Sequence, residues 1–195
     1  MRDTADLIPV TDLKQWAYCE RIVYYHRVMP VVGQQTFKMK EALAAQDLIE
    51  GLEMRRGLQA YGFEGARRRF GVWLSDEGLG LSAKIDLILE REDGVAVVDF
   101  KLTGGEPGEN HRMQLAGYAM LAEAAYGAPS RVAFLYRIPD NRVFAIEIGE
   151  ALREAVARAV SRIRSMEAEQ WFPPPTPVRK RCAACEYANY CADVW

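Results

Sequence analysis

Hydrophobic residues recur with two different periods along the chain, and the change of period divides it into predicted helices and strands. Apolar residues at helical spacing predict a first helix that is capped by Thr11 and ends near Arg27. The same spacing predicts a long helix over 37–61. Alternating apolar and polar residues then predict three strands within 64–103, separated by turns rich in Gly, Asp and Glu.

The second half of the chain returns to helical spacing and contains one more hairpin. A helix is predicted over 111–126, where Gly127 ends it. Two strands over 131–148 form a hairpin, and a last helix follows over 150–169. Prolines then make "WFPPPTPV" a stiff tether to the last residues. Together these elements predict an α/β fold in which helices flank a mixed sheet.

Length and composition are those of one ordinary globular domain. The chain has 195 residues, of which 50% are hydrophobic, so it can bury a substantial core. No apolar run approaches the roughly 20 residues that a membrane span requires, and the N-terminus lacks the segments of a signal peptide. We therefore expect a cytoplasmic protein with no membrane partner. A net charge of −2 argues against attraction of nucleic acid to the whole surface, although local basic clusters can still bind phosphates.

Four cysteines lie near the two ends of the sequence. Cys182, Cys185 and Cys191 have C-x2-C-x5-C spacing, whereas Cys19 belongs to the first predicted helix. Because cytosolic thiols are usually reduced, these cysteines favour a metal site over disulfides. If the first helix packs against the tail, four thiolates can bind an iron–sulfur cluster or a structural zinc ion. One distant cysteine plus a terminal group of three favours the cluster, and buried cysteines without a ligand are the remaining alternative.

Acidic residues interrupt two of the predicted strands. The period of two places Asp99 and Lys101 on the same face as Val95 and Val97, and Asp86 interrupts the apolar run of the preceding strand. A hairpin between these strands would bring Asp86 and Asp99 within reach of one Mg²⁺ or Mn²⁺ ion. Lys101 could then orient or deprotonate a water and offset charge on a scissile phosphate. The alternative is a solvated pair of charges across the strands.

The helix after these strands carries two further polar residues. Gln114 and Tyr118 lie at i and i+4, so they share one face of the helix. An amide and a phenol one turn apart can contact a phosphate backbone or an unstacked base, whereas the alternative is a core tyrosine beside an exposed glutamine. Of the two histidines, His111 is better placed than His26 to face this cleft, and neither has the spacing of a metal ligand.

Taken in order, these motifs resemble the RecB-like nucleases of the PD-(D/E)xK superfamily. Among them, the chain looks most like the fourth family of CRISPR-associated proteins, the iron–sulfur exonucleases of the adaptation module. The resemblance covers nearly the whole chain. It implies a restriction-endonuclease-like core with a mixed sheet flanked by helices, in a single domain over 1–195. Residues 36–170 would form the nuclease core, and 1–35 with 171–195 the cluster-binding part. The motifs that carry the resemblance are Asp86, Asp99-Phe100-Lys101 and Gln114-x3-Tyr118, enclosed by Cys19 and Cys182-x2-Cys185-x5-Cys191.

The resemblance also implies an activity, cofactors and partners. It implies a DNA nuclease that depends on Mn²⁺ or Mg²⁺, recognises the motif flanking a prospective spacer and trims single-stranded overhangs, in partnership with the CRISPR integrase. A 4Fe-4S cluster would join the two ends of the chain. By the same resemblance, Asp86 and Asp99 would be metal ligands with the carbonyl of Phe100, and Lys101 the catalytic lysine. Gln114 and Tyr118 would position the DNA, and the four cysteines would hold the cluster.

One position departs from the pattern of this family. Gln46 stands where members usually carry a metal-binding histidine, and a neutral amide oxygen is a weaker ligand for Mn²⁺ than imidazole. This departure predicts weaker metal binding and keeps a second function open, a module that binds DNA and the integrase with little cleavage. A nuclease of the recombination-repair type is a third possibility, although the chain has no helicase segment.

Overall fold

The computed structural model describes residues 7–30, 51, 53, 57–102 and 104–191. Within these ranges the chain forms four α-helices and one six-stranded sheet. None of these helices is both long and apolar enough to cross a membrane. The helices are α1 (Val10–Tyr18), α2 (Glu20–Arg27), α3 (Glu109–Tyr126) and α4 (Glu150–Glu169). The strands are β1 (Ile8–Pro9), β2 (Arg67–Asp76), β3 (Leu81–Arg91), β4 (Gly94–Lys101), β5 (Val132–Arg137) and β6 (Arg142–Glu147).

The sheet is mixed, as the sequence predicts. Its order is β1-β3-β4-β5-β6, and β2 pairs with the other side of β3. The pairs β2/β3, β3/β4 and β5/β6 are antiparallel, whereas β1/β3 and β4/β5 are parallel. Helix α3 connects the parallel strands β4 and β5, since a parallel pair requires a crossover. The α/β class with helices flanking a mixed sheet is therefore confirmed.

Strand β4 lies between two hydrophobic clusters, which explains its nearly continuous apolar sequence. Val95 and Val97 pack with α1, α3 and α4 in the larger cluster. Ala96 and Val98 pack on the opposite face, with Leu87 and Phe134. The polar end of β4, beginning at Asp99, therefore emerges from the most deeply buried strand of the sheet.

Most predicted elements are found within one or two residues of their expected bounds. The three-strand run, the second hairpin and the last helix are all present. Gly127 ends α3 in the left-handed conformation, with φ +63°, as its position after a helical pattern indicates. Most of the helix predicted over 37–61, including Gln46, lies outside the described residues. Its last residues, Leu58–Tyr61, form a 3-10 helix instead of continuing an α-helix.

The first predicted helix is wrong in two details. It begins at Val10 with Pro9 at the N-cap position, so Thr11 lies inside the first turn and is exposed. It is also broken at Cys19, whose extended backbone (φ −163°, ψ 117°) separates α1 from α2. Apolar residues continue on both sides of Cys19, so the pattern does not reveal the break, although Ile22 and Tyr25 of α2 pack in a separate cluster with the tail. The break places Cys19 at the junction of two helices.

The alternation of β3 shifts by one residue at Asp86. Leu81 and Ile85 pack in the larger cluster, but Leu87 packs in the smaller one and Ile88 in the larger. The ladder with β2 is regular on both sides of this point but includes no pair for Asp86. The strand is therefore irregular at the position where its acidic residue lies.

Helix α1 lies very close to α3 at Gly117. A Cβ atom on Gly117 would be 2.9 Å from side-chain atoms of both Val10 and Leu13, which are fully buried. Glycine is required here by the close approach of two helices, and not by its backbone conformation. This contact fixes the face of α3 on which α1 lies.

Gly117→Val is expected to lower the free energy of unfolding by about 2 kcal/mol or more, because the added carbons overlap buried side chains of α1. Ala125→Val, at an exposed position of the same helix, changes only helix propensity and should cost about 0.5 kcal/mol. Urea denaturation of both variants measures the difference. Equal stability of the two would contradict the close packing at Gly117.

Candidate functional site

Two carboxylates meet at the open end of the hairpin formed by β3 and β4. The last pair of the β3/β4 ladder is Leu87 with Val98, so Asp86 and Asp99 follow directly beyond it. The backbone N–H of Phe100 donates a hydrogen bond to Asp86 Oδ2 at 3.1 Å. Asp99 is only 3% exposed. The structure thus brings together the two acids that the sequence singled out.

The two acids repel each other in a partly desolvated environment. Burial and then the charge of Asp99 raise the pKa of Asp86, against the hydrogen bond from Phe100, to about 6. Oxygen donors that repel each other in this way are stabilised by a cation between them. The centre is therefore suited electrostatically to a positive ion or to a proton on Asp86.

Lys101 supplies a positive charge next to this pair. Its Nζ lies 2.7 Å from Asp99 Oδ2. Burial alone would lower the pKa of Lys101, but the nearby carboxylates of Asp99 and Asp86 outweigh it and raise the pKa above its ordinary value. Lys101 is therefore a permanent cation in this arrangement, which favours the charge-stabilising role of the lysine over deprotonation of water.

Gln114 and Tyr118 lie in the wall of the same centre. They are 3% and 5% exposed, and Gln114 Nε2 donates to the Tyr118 hydroxyl at 2.8 Å. Burial, followed by the charge of Asp99, raises the pKa of Tyr118 far above its ordinary value. Gln114 Oε1 is buried and accepts no hydrogen bond from the part of the chain that the structure describes. The alternative of an exposed glutamine is wrong, because both side chains face inward.

Two further basic side chains lie within electrostatic range of Asp99, and sequence reasoning missed one of them. Burial and the charge of Lys101 lower the pKa of Lys14 to about 8, against the charge of Asp99. Burial, then Lys14 and Lys101, lower the pKa of His111 to about 4. Lys14 could have been found from the sequence, since it follows Val10 by four residues on the apolar side of α1.

The donors at this centre suit a hard divalent cation, but they do not amount to a complete set of charged ligands. Within the described ranges, no group of three or more His, Cys, Asp or Glu side chains is arranged to bind a metal ion. The donors that the structure brings together are the carboxylates of Asp86 and Asp99, with the side-chain amide of Gln114 in the wall of the same centre, and Mg²⁺ and Mn²⁺ accept such oxygens together with water. Gln46 lies outside the described residues.

A second candidate site is a cavity lined by all four cysteines. The cavity is small, about 20 Å³, and it is also lined by aromatic and basic residues of α1, α2 and the tail. Arg21 Nη1 donates to Cys191 Sγ at 3.1 Å. Burial raises the pKa of Cys185, and the other three cysteines act in the same direction. The four thiols line one cavity beside guanidinium donors, although in the described residues they are not arranged as a metal-ligand group. Thiolates are the ligand type that an iron–sulfur cluster or a structural zinc ion requires.

The tail is attached to the first two helices by polar contacts as well. Arg181 Nη1 donates to the carbonyl of Tyr18 at 2.6 Å, and the Tyr18 hydroxyl donates back to the Arg181 carbonyl at 3.3 Å. The Tyr25 hydroxyl donates to the carbonyl of Tyr190, and its ring stacks on Tyr187 at 5.1 Å. The two ends of the described chain therefore meet, as the spacing of the cysteines predicted.

Comparison with known proteins identifies a nuclease family. The family model of the PD-(D/E)XK nuclease superfamily matches residues 11–192. The chain is 28% identical to the CRISPR-associated exonuclease Cas4 of Francisella tularensis subsp. novicida, over 95% of this chain and 94% of that protein. It is 31% identical to a Cas4/endonuclease Cas1 fusion of Myxococcus xanthus, over 90% of this chain and 29% of the fusion.

The fold also resembles that of a solved structure. The crystal structure of SSO0001 matches with a TM-score of 0.52 and 21% sequence identity, over 97% of this chain and 87% of that chain. At this level of identity the likeness concerns the fold alone. It agrees with the mixed sheet and flanking helices described above.

Proposed function

This chain belongs to the PD-(D/E)XK nuclease superfamily, and we propose that it is a divalent-metal-dependent DNA nuclease of CRISPR adaptation. In this proposal it recognises the motif that flanks a prespacer and trims the single-stranded overhang there. The observation that carries it is the pair Asp86 and Asp99 beside the ion-paired Lys101 at one end of the sheet. Phosphodiester hydrolysis assisted by a metal requires carboxylates to hold the cation and a positive charge beside the phosphate.

Asp86 and Asp99 would hold Mn²⁺ or Mg²⁺ together with the backbone carbonyl of Phe100, since these cations prefer oxygen ligands. When bound, the cation activates water and neutralises charge on the phosphate. The N–H of Phe100 orients the Asp86 carboxylate through the hydrogen bond to Oδ2. Gln114 Oε1 accepts no hydrogen bond from the described residues, so it can accept one from a water or from the substrate.

Two lysines would contact the negative charge of the DNA. Lys101 remains protonated because of Asp99 and Asp86, so it stabilises charge that develops on the scissile phosphate. Lys14, whose pKa is about 8, is cationic at neutral pH and would bind an adjacent phosphate. Phosphate binding would in turn favour its charged form, since the DNA adds negative charge next to the ammonium group.

The four cysteines would hold a 4Fe-4S cluster that joins the first two helices to the tail. Their convergence on one cavity supports this role, and thiolates are the usual ligands of such clusters. The hydrogen bond from Arg21 to Cys191 would further stabilise the charge on sulfur. A structural zinc ion is the alternative occupant. Protein that holds zinc would contain zinc instead of iron and would be colourless.

A CRISPR integrase is the proposed protein partner. One relative of this chain is named as a fusion of Cas4 with the endonuclease Cas1, which supports joint action of the two activities. Trimming would then precede transfer of the DNA to the integrase. Copurification of the chain with an integrase, compared with a repair helicase as the control partner, tests this association.

The activity is tested with end-labelled duplexes that carry a 3′ or a 5′ single-stranded overhang. We expect shortening of the overhang with Mn²⁺ or Mg²⁺ and none with a chelator, whereas a blunt duplex of the same length should remain intact. The sequence at which trimming stops reports the flanking motif. A pure, metal-loaded protein that shortens neither overhang would contradict the proposed nuclease.

A weakly cleaving module that binds DNA and the integrase is the second candidate, favoured by Gln46 in place of the usual histidine. The two candidates differ in the effect of Gln46→His. If the wild type binds overhang DNA but cuts slowly, and Gln46→His increases cleavage at least about tenfold, the second candidate is supported. If the wild type already cuts rapidly, the second candidate is rejected.

Stabilisation by Mn²⁺ is expected to depend on pH. The pKa of Asp86 is raised to about 6 in the folded protein, so Asp86 is protonated below that pH and its proton competes with the metal. Saturating Mn²⁺ should therefore raise the melting temperature at pH 7.5, and the increase should fade as pH falls through about 6. Differential scanning fluorimetry across this range measures it.

Asp86→Asn is the matched control for this pH dependence. The amide cannot ionise, so the variant should gain little stability from Mn²⁺ at any pH. Asp93→Asn, which changes an exposed aspartate paired with Arg91, should behave as the wild type does. A metal-induced increase that is independent of pH between 5 and 7.5 would contradict a role for Asp86 in metal binding.

A further inference from the structure

Three basic side chains form a row across the end of the sheet that carries the acidic pair. Lys101, at the end of β4, is the register partner of Arg137 on β5, and Arg137 is the register partner of Arg142 on β6. Register partners project their side chains to the same face of a sheet. Lys101, Arg137 and Arg142 are called the basic row below.

The basic row lies on the same face of the sheet as Asp99. Two residues away on each strand, Asp99 is the register partner of Leu135, and Leu135 is the partner of Phe144. Leu135 and Phe144 pack in the larger hydrophobic cluster, on the face that α1 and α3 cover. Because side chains alternate along a strand, Arg137 and Arg142 share this face. The row therefore begins beside the acidic pair and leads away from it across β5 and β6.

The guanidinium group of Arg137 is occupied by other parts of the chain. Its Nε and Nη2 donate to the two carboxylate oxygens of Asp140, at 2.7 and 2.6 Å, and its Nη1 donates to the carbonyl of Gly105. The side chain is only 12% exposed. Arg137 therefore fastens the loop after β4 to the second hairpin, and Asp140 balances its charge.

Arg142 is exposed, and among the residues that the structure describes none accepts a hydrogen bond from it or forms an ion pair with it. Its guanidinium carbon lies 4.7 Å from the centroid of the Phe144 ring. This contact orients a planar group whose N–H donors remain open to a ligand. Like charges directly opposite each other on two strands repel, and Asp140 balances only Arg137. An anion bound to Arg142 would therefore stabilise the end of the hairpin.

We propose that Arg142 binds a backbone phosphate of the DNA strand that is cut, at a fixed distance from the phosphate at the acidic pair. Two strand spacings of about 4.8 Å separate Arg142 from Lys101, which gives about 10 Å between their backbones. At about 3.4 Å per nucleotide, this distance corresponds to about three nucleotides. The inference rests on the proposed nuclease function and adds the path of its substrate, which crosses β4, β5 and β6 along the basic row.

Loss of this contact has an expected size. Arg142→Ala should weaken binding of overhang DNA at least about fivefold at low salt, because a charged hydrogen bond to phosphate is lost. It should also lower the slope of log affinity against log salt by about 0.7, the value for one phosphate contact on a single strand. Arg142→Lys should keep the slope and lose part of the affinity, since an ammonium binds phosphate as a point charge.

Arg131→Ala is the matched control for Arg142→Ala. Arg131 is an exposed arginine that precedes the opposite end of β5, so its removal changes the net charge equally. Both the affinity and the salt slope of this variant should equal those of the parent.

The experiment measures affinity by fluorescence anisotropy in an Asp99→Asn background, so that cutting does not interfere. The probes are labelled duplexes with a 3′ or a 5′ single-stranded overhang, because the junction fixes the register of the strand. In a second series, one overhang phosphate at a time is replaced by a neutral methylphosphonate. One of these replacements should weaken binding by the parent but have no further effect on Arg142→Ala, since that phosphate has already lost its partner. The other replacements should act equally on both proteins.

Failure of this inference and failure of the nuclease proposal are distinguishable. Arg142→Ala that binds overhang DNA as tightly as its parent would overturn the phosphate site, even if the wild type cuts DNA. Weaker binding that depends on no single phosphate would assign Arg142 to long-range attraction and would also overturn it. Loss of the effect at one phosphate supports the site, even if the wild type fails to cut. Thermal melts verify that each variant folds, since Arg142 and Arg131 are both exposed.

Discussion

Asp99→Asn is expected to lower the rate of DNA cleavage by about 1,000-fold while DNA binding stays within about threefold of the wild type. Asp99 is buried at the end of β4, near Asp86 and 2.7 Å from Lys101 Nζ. The amide keeps the shape of the side chain but loses the charge that would hold the cation and the lysine. Single-turnover cleavage of an overhang substrate measures the rate, and a filter assay measures binding.

The control for this variant is Asp140→Asn, which removes an exposed carboxylate paired with Arg137. It should cut at the wild-type rate, because the Asp140 carboxylate is exposed and pairs with Arg137 rather than with the acidic pair. Lys101→Met should be nearly as slow as Asp99→Asn, and it should not be rescued by higher Mn²⁺. Cleavage by Asp99→Asn within tenfold of the wild type would exclude the acidic pair as the catalytic centre.

Cys19→Ala is expected to remove the proposed iron–sulfur cluster entirely and to lower the melting temperature by about 10 °C or more. Cys19 is the thiol that the junction between α1 and α2 contributes to the cavity, whereas the other three belong to the tail. Without it the two ends of the chain lose a shared ligand set. Iron analysis, visible absorbance and calorimetry of anaerobically purified protein measure the loss.

Ala183→Ser serves as the control, because it changes an exposed residue between Cys182 and Cys185 without removing a thiol. This variant should retain its brown colour and its melting temperature. Colourless wild-type protein with one zinc per chain would contradict the iron–sulfur cluster but not a structural metal. Unchanged stability of Cys19→Ala would contradict both.

The strands were predictable because their apolar alternation is strong and the turns between them carry typical residues. The order of β2, β3 and β4 follows from two short turns, and antiparallel pairing of β3 with β4 brings Asp86 near Asp99. The α3 helix was predictable for a similar reason, since Gly127 marks its end. The positions of these acids therefore depend on local signals that a single sequence contains.

Other features depend on tertiary contacts that a periodic pattern does not record. The break at Cys19 leaves no gap in the run of apolar residues from α1 into α2, so the pattern does not mark it. The alternation of side chains between the two faces of β3 shifts by a single residue at Asp86. A periodic pattern of apolar residues does not reveal so small a shift. Lys14 contributes to the centre only because α1 lies against α3 at Gly117, and that approach is a property of two helices about 100 residues apart.

The contacts between the tail and the first two helices have a consequence for synthesis of the protein. Residues joined by hydrogen bonds there are 163 to 170 positions apart in the sequence. A nascent chain emerges from the ribosome in order, so Arg21 and Tyr25 lack their partners Cys191 and Tyr190 until that segment has been synthesised. Until then, thiols and aromatic rings of the first helices stay accessible to chaperones and to oxidation. Assembly of the cysteine cavity therefore follows the synthesis of residues 182–191.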